Sequence, residues 1–153
     1  MYIYNVGTKF ESIVDTFSEN VILQFSKNEH YSYKELNERA NQISRFLARR
    51  EIGKGDVVCV SGSKGILNYA AIIACLKSGV IYCFFDPDSP SQRLERIFAR
   101  CNPRVLLVDD SFKQNFPDLS VPSKPEIHFL ESKLFALELT EFKRSNVGLN
   151  QAI

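Results

Sequence analysis

Phe10, Ile13, Val14 and Phe17 recur at intervals of three and four, a spacing that predicts a short amphipathic helix over residues 8–18. Val21-Ile22-Leu23-Gln24-Phe25 reads as a strand, Ser26-Lys27-Asn28-Glu29 is turn chemistry, and His30-Tyr31-Ser32 returns, which predicts an antiparallel hairpin. Ser32-Tyr33-Lys34-Glu35 fits a capping box, with Ser32 accepting from the Glu35 N–H while the Glu35 carboxylate reaches back. Behind it Leu36, Ala40, Ile43, Phe46 and Leu47 fall on one stripe, predicting a surface helix with one buried face that ends near Arg50.

From Gly53 the pattern changes. Gly53-Lys54-Gly55-Asp56 turns the chain into Val57-Val58-Cys59-Val60, a continuous apolar run of the kind found in strands buried on both faces. A helix over residues 66–77 follows and stops at Gly79, which can take the left-handed conformation favoured at a helix C-terminus. Residues 81–85 form a second buried apolar strand. Ser89-Pro90-Ser91-Gln92 reads as a helix start with Pro90 at the first helical position, and Leu94, Ile97, Phe98 and Cys101 give that helix its buried stripe. Asn102-Pro103 ends it, and residues 105–108 are a third apolar strand. Alternation of β-α-β-α-β over 57–108 predicts an α/β fold, with a parallel sheet covered by helices through right-handed crossovers, preceded by an N-terminal helix and a β-hairpin.

After Asp110 the pattern weakens. Pro117, Pro122, Ser123 and Pro125 mark an irregular loop, residues 127–130 suit one more strand, 131–143 fit helix or strand equally, and 145–153 read as a loose tail. Asp109 and Asp110 read as solvated loop carboxylates.

Composition narrows the function classes. A chain of 153 residues can bury roughly 70% of its unfolded surface, enough for one domain with a real core. Nineteen Lys and Arg against eighteen Asp and Glu leave a net charge of +1, so no overall field draws nucleic acid or an anionic membrane. Arg93, Arg96 and Arg100 share a helix face and read as a solvated strip. No apolar run approaches the ~20 residues of a membrane span, and Met1-Tyr2-Ile3-Tyr4-Asn5 lacks the features of a secretory signal. Cys59, Cys75, Cys83 and Cys101 are widely spaced without a C-x-x-C pair, and His30 and His128 lack ligand-pattern neighbours. The expectation is buried, reduced thiols in a cytoplasmic protein, with no metal site.

Ser61-Gly62-Ser63-Lys64-Gly65 is the one local candidate for binding chemistry. It lies between a predicted strand and a helix, where backbone N–H groups and the helix dipole can hold a phosphate. It matches neither G-x-x-x-x-G-K-[ST] nor G-x-G-x-x-G, so a plain strand-to-helix turn competes with an anion site.

Leu76-Lys77-Ser78-Gly79-Val80-Ile81-Tyr82, then Cys83-Phe84-Phe85 and Asp86-Pro87-Asp88-Ser89-Pro90-Ser91-Gln92-Arg93-Leu94, resembles a framework motif of adenylate-forming enzymes. The likeness is greatest to the amino-acid-activating domains of nonribosomal peptide synthetases, in which LKAGxAY, a short apolar stretch and DPxxPxxRL follow in that order. Tyr33, Glu35 and Leu36 belong to a second match, since Tyr31 through Asn41 resembles L-[TS]-Y-x-E-L followed by N-x-x-A-N, with Tyr31 in place of the leucine. Gly53 through Val58 is similar to G-x-G-D-x-V, and Asn102 through Leu107 to x-P-x-x-L-L/V. Two departures stand out: Phe84 replaces the proline two residues before the aspartate, and residues 61–65 carry more glycine than is usual. The matches span about 10–110, with residues 111–153 weakly patterned.

The resemblance implies the N-terminal subdomain of an enzyme that uses ATP and magnesium to activate a carboxylate as an acyl-adenylate and passes it to a carrier-protein thiol. A loop of the type TSGSTGxPKG, a ribose-binding acidic residue and a catalytic lysine do not occur in this sequence. Residues 1–153 are therefore expected to be a single truncated or split adenylation-type domain, inactive alone, with no assigned catalytic residue and no cofactor held by itself. Its expected partners are the remainder of a synthetase, a carrier protein, or a second copy joined through an uncovered sheet edge. The framework residues Tyr33, Glu35, Leu36, Leu76, Lys77, Gly79, Tyr82, Asp86, Pro87, Pro90 and Arg93 then serve packing, capping and turning. The competing expectation is a non-enzymatic α/β docking or binding module that reuses this framework, with a phosphate site at 61–65.

Overall fold

The computed structural model describes residues 5–115 and 119–148. Helix α1 (Val6–Phe17) starts where the Asn5 side chain accepts from the amides of Gly7 and Thr8. A hairpin of β1 (Val21–Gln24) and β2 (His30–Ser32) follows, paired antiparallel. Helix α2 (Tyr33–Arg49) begins at the expected capping box, with both reciprocal hydrogen bonds formed at Ser32 and Glu35. The predicted stripe points inward: Leu36, Ala40, Ile43, Phe46 and Leu47 are all buried.

Next come β3 (Val57–Ser61), α3 (Ile66–Ser78), β4 (Ile81–Phe85), α4 (Ser91–Cys101) and β5 (Val105–Val108), the expected alternation. The remainder is more regular than its pattern suggests. It supplies α5 (Asp110–Asn115), β6 (Glu126–Phe129) and α6 (Lys133–Thr140). The four central strands form one parallel sheet in the order β4-β3-β5-β6.

That order sets two layers of core. One sheet face, with Val58, Val60, Val105 and Leu107, packs against α2, α3 and α6; the other, with Cys59, Leu106 and Val108, packs against α4 and α5. β5 is buried along its whole length, as its apolar run predicts. β4 is not. It occupies an edge, leaving Ile81, Tyr82 and Phe84 at 53%, 40% and 46% exposure, so the expected buried strand is an open one.

Helix α4 differs by one position from its predicted start. Pro90 is the N-cap rather than the first helical residue, with its carbonyl accepting from the amides of Arg93 and Leu94. Ser89 belongs instead to the preceding turn, where its amide donates to the Asp86 carbonyl and the Asp88 amide donates to Asp86 Oδ1. The expected tail is also tied down as far as it is described: Arg45 donates to the carbonyls of Lys143, Ser145 and Asn146. Residues 149–153 of that tail lie outside the described residues.

Candidate functional site

Neighbouring strands β3 and β5 send their chains to opposite faces of the sheet, β3 into α3 and β5 into α5. Such a switch in direction opens a crevice at the carboxyl ends of the strands, the usual place for a ligand in an open α/β sheet. Residues 61–65 lie there. Ser61 is buried, and its hydroxyl accepts from the Asp109 amide at 3.1 Å, tying the ends of β3 and β5 together. Its carbonyl accepts from Asn68 Nδ2 at 2.8 Å. The Gly62 amide donates to the Phe85 carbonyl at 2.6 Å, and a Cβ on Gly62 would lie 3.0 Å from that same oxygen. Close backbone approach therefore accounts for this glycine.

Gly65 is the N-cap of α3 and makes no side-chain cap, and Asn68 Oδ1 lies 2.9 Å from where its Cβ would be. Ser63 is half-buried and Lys64 is exposed. The crevice is acidic on its β5 side. Asp109 is buried rather than solvated, because it caps α5, accepting from Ser111 Oγ and from the Phe112 amide. Asp110 is exposed, as expected. Glu131 lies near enough for both to matter: burial first, then the charges of Asp110 and Asp109, push its carboxyl above the usual range.

The framework residues are distributed around this crevice rather than gathered in it. Tyr33 packs its ring between those of Phe10 and Phe17, each 6.5 Å away by centroid. Glu35 closes the capping box, and Leu36 is in the core. Leu76 is half-buried, and Gly79 ends α3 at φ 70°, in the left-handed region its type favours. Pro87 is buried beside the Asp86 turn, while Tyr82 and Arg93 are exposed.

Lys77 is a surprise of burial. Its side chain is fully enclosed, and its ammonium donates to Glu11 Oε1 at 2.7 Å, Asn37 Oδ1 at 2.6 Å and Asn41 Oδ1 at 2.8 Å. Burial lowers its pKa, and the bond to Glu11 opposes that shift. The amide nitrogens of Asn37 and Asn41 both donate to Asn146 Oδ1, so the network joins α1, α2, α3 and the C-terminal segment. Sequence patterning offers no sign of this, beyond the i, i+4 spacing of the two asparagines on α2.

The structure also gathers three of the four cysteines. Cys59, Cys83 and Cys101 have sulfurs within 4.8 Å of one another, although Cys83 and Cys101 are half-buried rather than fully buried. Cys75 stands apart in the other core layer.

Among the described residues no helix is long and apolar enough to cross a membrane. The model of the AMP-binding enzyme family matches residues 10–147. Tyrocidine synthase 1 of Brevibacillus parabrevis is 33% identical over 110 residues, which cover 72% of this chain and 10% of that protein. The chain spans a tenth or less of the length of such curated relatives. Among solved structures, an anthranilate CoA ligase in complex with anthranoyl-AMP superposes with a TM-score of 0.84 at 18% identity, covering 94% of this chain and 28% of that one. An artificially fused adenylation and PCP di-domain synthetase from Klebsiella oxytoca superposes at 0.76 and 18%, covering 97% and 26%. These structures share the fold of this chain over nearly its whole length. With a family match over nearly its whole described length, the chain belongs to the AMP-binding enzyme family and is similar to the adenylation domains of nonribosomal peptide synthetases.

Proposed function

We propose that this chain is the N-terminal piece of an amino-acid-activating adenylation unit of the nonribosomal peptide synthetase kind, and that it does not form an acyl-adenylate alone. The observation that carries this reading is the open edge at β4. A strand with Ile81, Tyr82 and Phe84 exposed is a surface that further structure of a larger domain would cover. The small share of each solved relative that the chain spans points the same way. Four free cysteines fit a reducing, cytoplasmic setting. The partners on this reading are the remainder of the synthetase and a carrier protein.

ATP and magnesium are what the family implies, and the donors this chain brings to the crevice do not fit the ATP phosphates. In the crevice, Ser61 and the Gly62 amide are already engaged in holding strands together. The Asp109 carboxylate is committed to capping α5, and the Asp109, Asp110 and Glu131 charges would repel a triphosphate. Adenylyl transfer rests on positioned donors, and removing even one such donor costs about 3 kcal/mol of transition-state stabilisation. Amino-acid-dependent pyrophosphate exchange, assayed on the isolated chain with a panel of amino acids, is expected to stay at background. Measurable exchange would overturn the proposal.

A docking module with an anion contact at 61–65 is the second reading, favoured by the place of that loop at the strand ends and at the start of α3. Titrating ATP and AMP against the native chain and Lys64→Ala separates the two. Equal behaviour of both proteins removes the anion site.

A further inference from the structure

Cys59 and Cys83 are opposite partners in the parallel register of β3 and β4, and Cys101 is the last residue of α4, which crosses the same sheet face. Three elements thus deliver three sulfurs to one point, all within 4.8 Å of one another. The surroundings are apolar, formed by Val57, Phe85, Ile97, Phe98 and Leu106. Cys59 closes the inner side with no exposure, while Cys83 and Cys101 reach toward solvent and leave a way in.

We propose that Cys59, Cys83 and Cys101 form a three-sulfur site for a soft monovalent ion, Cu(I). This inference is independent of the adenylation reading. Thiolate sulfur selects soft ions, and among the described residues no fourth His, Cys, Asp or Glu joins the three. Zinc would need a fourth ligand, which here only water could supply, whereas three converging sulfurs complete the shell of an ion content with three-fold coordination. Sulfurs placed about 2.3 Å from a central ion would sit about 4 Å from one another, so small side-chain rotations close the ring. Each S–H that becomes a Cu–S bond gives its proton to water, and copper stays in the +1 state throughout. The negative charge this leaves is costly at the buried Cys59 and is eased at Cys83 and Cys101, which meet solvent.

The test is an anaerobic titration of the reduced chain with Cu(I) buffered by bicinchoninate, following chelator competition and ultraviolet sulfur-to-copper absorption. Binding of a single Cu(I) per chain is expected. Cys83→Ser and Cys101→Ser, at half-exposed positions, should each weaken it by more than the roughly tenfold that loss of a supporting contact brings. Cys75→Ala, in the other core layer, should leave it unchanged. Circular dichroism of each variant checks that the fold is retained. Failure to compete with the chelator, uptake by Cys83→Ser or Cys101→Ser equal to that of the native chain, or tighter uptake of Zn(II) than of Cu(I) would each overturn the assignment.

Discussion

The Lys77 ammonium has one acceptor for each of its protons, in Glu11, Asn37 and Asn41, although its side chain is closed off from water. Removing one partner of a buried pair is costlier than never having made it, because the remaining charge stays behind without compensation. Lys77→Met is therefore expected to destabilise the chain by about 3 kcal/mol in urea unfolding. A change within about 0.5 kcal/mol, the range of ordinary surface substitutions, would show that the network is dispensable. Cys75 gives a pH dependence of definite sign. Burial pushes its thiol from 9.0 up to about 12, so above pH 9 the unfolded chain gives up a proton that the folded chain keeps. Stability is then lost as pH rises through that window, at about 1.4 kcal/mol per pH unit. Cys75→Ala should make the decline measured by urea unfolding between pH 9 and 11 shallower, while Cys59 and Cys83, whose thiols burial also pushes up, keep contributing in the same sense. Comparing the two proteins isolates the thiol from Lys77, whose lowered pKa acts in the opposite sense. A parallel decline in both would discard this account. Burial of Cys75 is legible from its apolar neighbours in the sequence and is met, whereas burial of Lys77 is decided by which helices meet, not by its neighbours along the chain.

Helices with strong local signals were legible, and those whose ends or faces depend on neighbours were less so. The Ser32 capping box needs only residues within one turn, and it forms as read. Ser32→Ala removes the hydroxyl that accepts from the Glu35 amide and should cost about 1 kcal/mol, measured by chemical denaturation. Retention of full stability would mean that water replaces the cap without loss. α6 was ambiguous because apolar residues point both ways from it: Phe135 and Leu139 are buried one turn apart, whereas Leu134 and Leu137 are exposed at 77% and 66%. Its packing is settled by contacts far away in sequence. Phe46 on α2 meets the Phe135 ring edge-on, and Arg50 pairs with Glu138 on α6 and Glu126 on β6. The candidate loop at 61–65 was visible as a strand-to-helix connection, but the sulfur cluster was not. It appears only once the β3–β4 register and the end of α4 are fixed.

For the molecule as a whole, the βα alternation revealed a parallel sheet but not which strand would be left at its edge. Strand order is a property of the crossovers, and it turns an apolar run that reads as buried into the exposed β4. Unpaired edges beside apolar side chains invite pairing with another chain. The isolated protein is expected to self-associate with rising concentration in sedimentation velocity, and Phe84→Lys, at a 46% exposed site, should shift it toward monomer without lowering its melting temperature. A concentration-independent monomer would locate no such tendency at this edge. The link from Asn146 back to Asn37 and Asn41 bears on a different matter, the order of events during synthesis. As the chain leaves the ribosome, α1, α2 and α3 can meet early around Lys77, yet the amides of the two asparagines and the outer side of Phe46 wait for partners made about a hundred residues later. A ribosome paused between α3 and α6 would hold a helix layer still unclosed, a natural point for a chaperone to engage.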